Sequence, residues 1–158
     1  MQIRVGQGFD VHPFIEDPQR PLVLGGVVFE SDQALRGHSD ADVIAHACAD
    51  ALLGAAGLGD IGQHFPDTDP QWEGANSIAL LAETTRRVRE AGWEPGNVDA
   101  SVVTDHPKLA PAREEMQRRL SHAVGAPVTV KGRRPEGLGA LGRGEGVACW
   151  AVAVVVKQ

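Results

Sequence analysis

A chain of 158 residues, 42% hydrophobic and 23% charged, is long enough to bury a core and reads as one globular domain over residues 1–158. Its formal net charge of −6 argues against nucleic acid as a partner, but is compatible with an anionic small-molecule substrate met by local cations, metals or backbone N–H groups. No apolar run approaches the roughly 20 residues of a membrane span and MQIRVGQGFD is too polar for a signal peptide, so no membrane contact and a cytoplasmic location are expected.

The two cysteines, Cys48 and Cys149, form no C-x-x-C pattern and read as buried free thiols in a reducing compartment. Residues 2–6 (QIRVG) read as a short strand leading into GFDVH. There Asp10 and His12 are two apart, so in an extended chain they project to the same side. Pro13 is expected to stop regular pairing. LVLGGVVF (22–29) reads as a hairpin around Gly25-Gly26, and SDQALRG (31–37) as a mobile connection.

His38, Asp42 and His46 then recur at intervals of four in a run otherwise rich in Ala, Leu, Val and Ile. On a helix that spacing sets neighbours about 6 Å apart along one face. Polar groups on such a face must be paired or must bind something. The helix is expected to begin near Ser39, with Ser39-x-x-Asp42 as a weak capping box, and to end at Gly54 or Gly57–Gly59. Its Ala45, Ala47, Ala49 and Ala51 let another backbone approach closely.

DIGQHFPDTDP (60–70) has the Pro and Asp content of a loop. Residues 75–93 form an amphipathic helix with Ile78, Leu81, Thr85, Val88 and Ala91 on one stripe and Gly92 as its cap. A strand over 97–105 and the turn HPKLAP follow, with Pro111 opening a second amphipathic helix, 112–125. A strand over 127–132, a Gly-rich stretch over 133–146 and a Val-rich buried strand over 147–157 close the chain. The order predicts an α/β protein, in detail an α+β two-layer sandwich with a mixed β-sheet covered by helices.

Asp10, His12 and His46 supply one carboxylate and two imidazoles, which with an open fourth position is the pattern of a catalytic zinc. A solvated loop carrying Asp and His is the alternative for 8–12 taken alone. His64, His106 and His122 are no obvious ligands, and His64 and His122 read as surface residues.

GFDVH (8–12), HSDADVIAH (38–46), DALLGAAGLGDIGQHFPDTDP (50–70), GNVD (96–99), HPKL (106–109) and GRGEG (142–146) together resemble the 2-C-methyl-D-erythritol 2,4-cyclodiphosphate synthase family, over about residues 3 to 156. The resemblance implies a homotrimer built around the sheets, with active sites between subunits. The implied reaction converts 4-diphosphocytidyl-2-C-methyl-D-erythritol 2-phosphate to the cyclic diphosphate plus CMP, in non-mevalonate isoprenoid synthesis. It implies one Zn²⁺ per subunit on Asp10, His12 and His46, with Asp10 and His12 also facing substrate. His38 and Ser39 would touch the substrate's phosphates, His38 steadying the transition state. Asp60, Ile61 and Gly62, with Phe65, Pro66, Asp67, Thr68 and Asp69, would line the methylerythritol pocket. Thr104, Asp105, His106, Pro107, Lys108, Leu109 and Ala110 of the neighbouring subunit would hold the cytidine. Glu136 would bind a second divalent ion, Mg²⁺ or Mn²⁺. Arg143 and Glu145 would sit near the trimer axis with Phe9, either as a structural ion pair or where an isoprenoid diphosphate or phosphate binds.

One segment departs from the family's usual Lys-x-x-Thr-x-Glu: here it is Lys131-Gly132-Arg133-Arg134-Pro135-Glu136. Arg134 replaces a Thr that contacts diphosphate, and Pro135 removes a backbone donor. Either Arg133 and Arg134 bind phosphate directly, Arg134 aiding turnover, or the loop is remodelled and activity falls. A zinc phosphohydrolase and a catalytically weakened trimeric isoprenoid-diphosphate-binding protein are the alternative functions.

Overall fold

The computed structural model describes residues 1–158. In chain order the elements are β1 (Gln2–Glu16), β2 (Leu22–Leu24), β3 (Val27–Phe29), β4 (Gln33–Leu35), α1 (Val43–Ala56), α2 (Ile61–His64), α3 (Ser77–Glu90), β5 (Glu94–Val103), α4 (Arg113–Val124), β6 (Val128–Arg133), α5 (Gly139–Gly142) and β7 (Gly146–Lys157). Five strands form one sheet in the order β4-β1-β7-β5-β6, parallel only between β5 and β6, and β2–β3 stands apart as the expected hairpin. The mixed sheet covered by helices is thus as expected.

β1 is three times longer than its predicted core over 2–6, because Pro13 does not end it. Residues 2–13 pair with β7, and residues 14–16 pair with β4. Pro13 lies at the handover between partners, where Phe14 N–H already reaches the Glu145 carbonyl and the Pro13 carbonyl accepts from Arg36. A missing N–H is tolerated at such an interruption of the ladder. For the same reason residues 33–35 are a strand with Ala34 and Leu35 buried, not a mobile connection.

α1 is the centre of the core: twelve of its 14 residues are buried, so it has no solvent face. Its small side chains matter where it crosses β1. A Cβ on Gly6 would lie 2.1 Å from the Ala51 carbonyl oxygen, and one on Gly8 would lie 2.1 Å from that of Ala47. Helix backbone and strand backbone touch directly there.

The helix starts four residues later than Ser39. Ala41 has φ 59°, in the left-handed region, which a right-handed helix cannot pass through. Asp42 is the N-cap, accepting from Ile44 N and Ala45 N, each at 3.2 Å, while its two oxygens also accept from Gly25 N (2.8 Å) and Gly26 N (2.7 Å) of the hairpin. Gly57, with φ 75°, caps the other end.

α3 and α4 cover the rest of the sheet. α3 buries Leu81, Thr85 and Val88 of the predicted stripe, is capped at its start by Asn76 and ends on Ala91 rather than Gly92. α4 buries Met116, Leu120 and Val124 and ends on Gly125. The opposite sheet face leaves Ile3, Val5, Phe9, Val11, Trp150 and Val152 exposed, with Phe9 and Trp150 rings 4.8 Å apart. β7, the Val-rich strand expected to be buried, is buried on one face and leaves Trp150 and Val152 exposed on the other. Cys48 and Cys149 are free and buried, and burial raises both thiols. No helix is long and apolar enough to cross a membrane.

Candidate active site

Along β1 the even residues face α1: Gly6 and Gly8 first, then Asp10 and His12 where the helix begins. His46 stands on the first turn of that helix. The glycines bring the elements close, and the larger side chains one and two steps further meet at the helix end. Asp10 Oδ2 lies 2.9 Å from His12 Nε2 and 3.1 Å from His46 Nδ1, and the two nitrogens are 3.3 Å apart. One donor atom from each residue lies within 4.8 Å of the others.

Burial opposes ionisation of Asp10, but hydrogen bonds and charge from His12 and His46 outweigh it and hold the carboxyl below its usual range. Burial likewise opposes protonation of His12, and the Asp10 hydrogen bond and charge prevail, raising it. His12 Nδ1 lies 2.8 Å from the Arg36 carbonyl, which accepts only, so Nδ1 carries a proton; in the neutral ring Nε2 is then left with its lone pair turned inward for a cation. A carboxylate oxygen and inward imidazole nitrogens on three sides form a donor set that suits a divalent cation such as Zn²⁺.

This cluster floors a cavity of about 430 Å³ that also touches Gly37, His38, Ser39, Ile61, Gly62, Phe65, Pro66 and Asp67. The sequence did not point to Trp72 and Leu80, which complete its wall. Trp72 is the one large apolar side chain between Pro66 and Ser77, a signal that was there to read. His38 precedes α1 in a turn, so His38, Asp42 and His46 do not share a helix face. His38 Nε2 donates to the Asp69 carbonyl at 3.0 Å. Ser39 Oγ is turned towards His46 Nε2 (3.0 Å) and accepts from Ala41 N. Asp42 faces the hairpin rather than the cavity.

Asp60, Thr68 and Asp69 lie outside the cavity lining. Asp60 caps α2 through Gln63 N, and Asp69 caps the turn at Gln71. His64 is half-buried and held on both sides: it donates through Nε2 to the Leu58 carbonyl (2.9 Å) and receives Arg87 at Nδ1 (2.9 Å). Arg87 also stacks over Phe65 at 4.8 Å, and Phe65 meets Trp72 edge-on at 5.0 Å. That chain of contacts stiffens the apolar wall.

A second cavity of about 330 Å³ is lined by Thr104, Asp105, Pro107, Lys108, Leu109 and Ala110, with Arg113, Gly132, Arg133 and Arg134. Four cations against one carboxylate make it anion-seeking. His106 is exposed and outside this lining. The two cavities share no lining residue. Within one chain, then, Arg134 is not brought to the Asp10 cluster. Nor is Glu136, which is exposed at φ 54° beside buried Pro135. Exposed Arg143 pairs with Glu145 at 2.6 Å. His122 is exposed on α4.

The model of the YgbB family matches residues 3–156. The chain is 54% identical over 158 residues to the bifunctional enzyme IspD/IspF of Anaeromyxobacter dehalogenans, covering 98% of this chain and 40% of that one. It is 52% identical to the 2-C-methyl-D-erythritol 2,4-cyclodiphosphate synthase of Cupriavidus metallidurans, covering 99% and 94% respectively. It thus spans less than half of some curated relatives and nearly all of others. The structure of IspF from Plasmodium falciparum in complex with CDP superposes with a TM-score of 0.84 at 31% identity, covering 99% of this chain and 97% of that one.

Proposed function

The chain belongs to the YgbB family, and on that premise we propose that it is a phosphorus–oxygen lyase converting 4-diphosphocytidyl-2-C-methyl-D-erythritol 2-phosphate to 2-C-methyl-D-erythritol 2,4-cyclodiphosphate and CMP, a step in making isoprenoid precursors without mevalonate. The observation that carries this reading is the convergence of Asp10, His12 and His46 at the floor of a cavity with one apolar wall. In the reaction an oxygen of the substrate's 2-phosphate bonds to the phosphorus nearer the sugar alcohol, and the bond from that phosphorus to CMP breaks, CMP keeping the electron pair. The nucleophile belongs to the substrate, so no Ser, Cys or general base is required of the protein. Its task is to fold two anionic groups together, and orientation of that kind lowers a barrier by about 7–11 kcal/mol in favourable cases.

Asp10, His12 and His46 would hold Zn²⁺, which when bound supplies positive charge and Lewis acidity to phosphate oxygens. Ile61, Phe65, Trp72 and Leu80 offer apolar surface to the carbon skeleton, while His38 and Asp67 offer polar contacts at its rim. The cation-rich second cavity suits the nucleotide diphosphate, in keeping with the CDP-bound relative. Because one chain holds the two cavities apart, they would join across subunits of a homotrimer packed through the exposed face of β1 and β7. Glu136, binding a second ion, Mg²⁺ or Mn²⁺, would arrive with the second half. A cytoplasmic location accords with the two unpaired buried thiols.

The test is incubation of the purified protein with the diphosphocytidyl substrate, Zn²⁺ and Mg²⁺. CMP and cyclic diphosphate in equal amounts are expected. Linear phosphate products would make it a hydrolase, and binding without turnover a sensor. Arg134→Ala is expected to lower kcat/KM; unchanged kinetics would remove Arg134 from the reaction.

A further inference from the structure

Behind His46, on the side away from Asp10, lies a short polar chain that the reaction does not by itself require. His46 Nε2 is 2.8 Å from Ser77 Oγ, and Ser77 Oγ donates a short hydrogen bond to Asp40 Oδ1. Ser77 is the first residue of α3 and fully buried, and its own N–H reaches Asp40 Oδ2 at 3.0 Å. A carboxylate only accepts and a hydroxyl has a single proton, so the Ser77 proton is committed to Asp40. The Ser77 oxygen is then left as an acceptor for His46 Nε2–H and for the hydroxyl of Ser39, whose Oγ lies 3.3 Å from it and 3.0 Å from His46 Nε2.

The alternative tautomer has a strong partner of its own. Asp10 Oδ2 stands 3.1 Å from His46 Nδ1 and would draw the ring proton there, forming a charge-assisted hydrogen bond. A proton on Nδ1 occupies the lone pair that the cation needs. His12 faces the same choice and is settled by the Arg36 carbonyl behind it. For His46 no backbone carbonyl does this work.

We propose that Asp40 and Ser77 form a carboxylate–hydroxyl relay that keeps the His46 proton on Nε2 and so holds Nδ1 open as a metal ligand. Both are positioning residues, and the inference rests on the reading of Asp10, His12 and His46 as a metal site. The outer partner of a metal-binding imidazole commonly changes metal affinity by about 10- to 100-fold.

Two measurements separate the relay from the metal reading. In the metal-free protein at pH 8, imidazole ¹⁵N shifts report where the His46 proton resides. The wild type is expected to carry it on Nε2, and Ser77→Ala on Nδ1. Asp40→Asn, whose amide can donate to Ser77 and reverse the relay, is expected to move it the same way and serves if Ser77→Ala does not fold. A proton on Nε2 in every folded variant would overturn the relay, whatever the metal does. Zinc competition against a chromophoric chelator is the second measurement. Ser77→Ala is expected to bind zinc about 10- to 100-fold more weakly, and Ser77→Thr, which keeps the hydroxyl, is expected to recover the affinity. Equal affinity in wild type and Ser77→Ala would also overturn the relay. A wild type that binds no zinc would instead overturn the metal reading.

Discussion

Asp42 illustrates how one side chain connects three segments. Its carboxylate caps α1 and accepts from both glycines of the β2–β3 hairpin, with the group fully buried. Removing it leaves those N–H groups without partners. Asp42→Ala is expected to cost about 2–3 kcal/mol, combining a lost cap with unpaired buried donors. Burial first, and the charge of Asp40 second, lift the carboxyl to about 6 from 3.8 against the opposing N–H groups. A raised folded-state value means its contribution is full below the unfolded value and is lost as pH rises through about 6. The gap in urea stability between wild type and Asp42→Ala should therefore be larger at pH 4 than at pH 8. An equal gap at both would contradict this assignment. The spacing of His38, Asp42 and His46 drew attention to the right residues but not to their roles, because interval alone does not say where a helix begins.

At the scale of elements, the site depends on how closely α1 lies on β1. Two glycines in the strand and alanines in the helix let the backbones touch, and Asp10 and His46 meet only because of it. Gly8→Ala places a methyl against the Ala47 carbonyl, which cannot rotate away as a side chain would. A loss of about 1–3 kcal/mol is expected for such overpacking, along with weaker zinc binding as the helix is pushed off. Full stability by thermal melting would show that the contact relaxes at no cost. α3 offers a second test. Hydrogen bonds from Arg86 and Arg87 hold Glu83 near 2, below its ordinary 4.5. A lowered carboxylate stabilises above its unfolded value, and that support is lost as pH falls from about 4.5 through 2. Glu83 is part-buried on the helix surface and its Arg86 partner is exposed, so solvent screening leaves only a few tenths of a kcal/mol at stake. The same acidification frees Arg87 from one partner while it still stacks on Phe65. Glu83→Gln should remove this acid-sensitive step, and its persistence in the variant would assign it elsewhere. The periodicity of α3 and α4 was legible in the sequence because one face of each is solvated. That of α1 was blurred because both faces are buried.

For the whole molecule, the exposed apolar face and the two separate cavities have one economical explanation in a cyclic assembly. It can be tested by mixing two impaired proteins, Asp10→Ala in the first cavity and Arg133→Glu with Arg134→Glu in the second. If each site takes one half from each of two neighbours, random mixed trimers carry about a quarter of their sites intact. Activity should therefore appear on co-refolding two proteins that lack it separately. Mixtures no more active than the better parent would place a whole site within one chain.

Sequence alone determined what depends on nearby residues. The Asp-x-His pair on one side of a strand, the glycine ends of α1 and α4, the hairpin at Gly25-Gly26 and the stripes of α3 and α4 all follow from local periodicity and turn chemistry. The choice of donor types at residues 10, 12 and 46 was also visible. Only the tertiary structure decided what depends on distant partners. β1 runs past Pro13 because β4 takes over its pairing. α1 begins at Val43 because Ala41 is left-handed and Asp42 binds the hairpin. Trp72 reaches the cavity edge-on to Phe65, which Arg87 braces from α3, the helix that also carries Leu80 into the wall. The basic loop at 133–134 lies with residues 104–113 because β5 and β6 run parallel and bring their ends together. Each of these turns on contacts far apart in sequence, whose energies no local window contains.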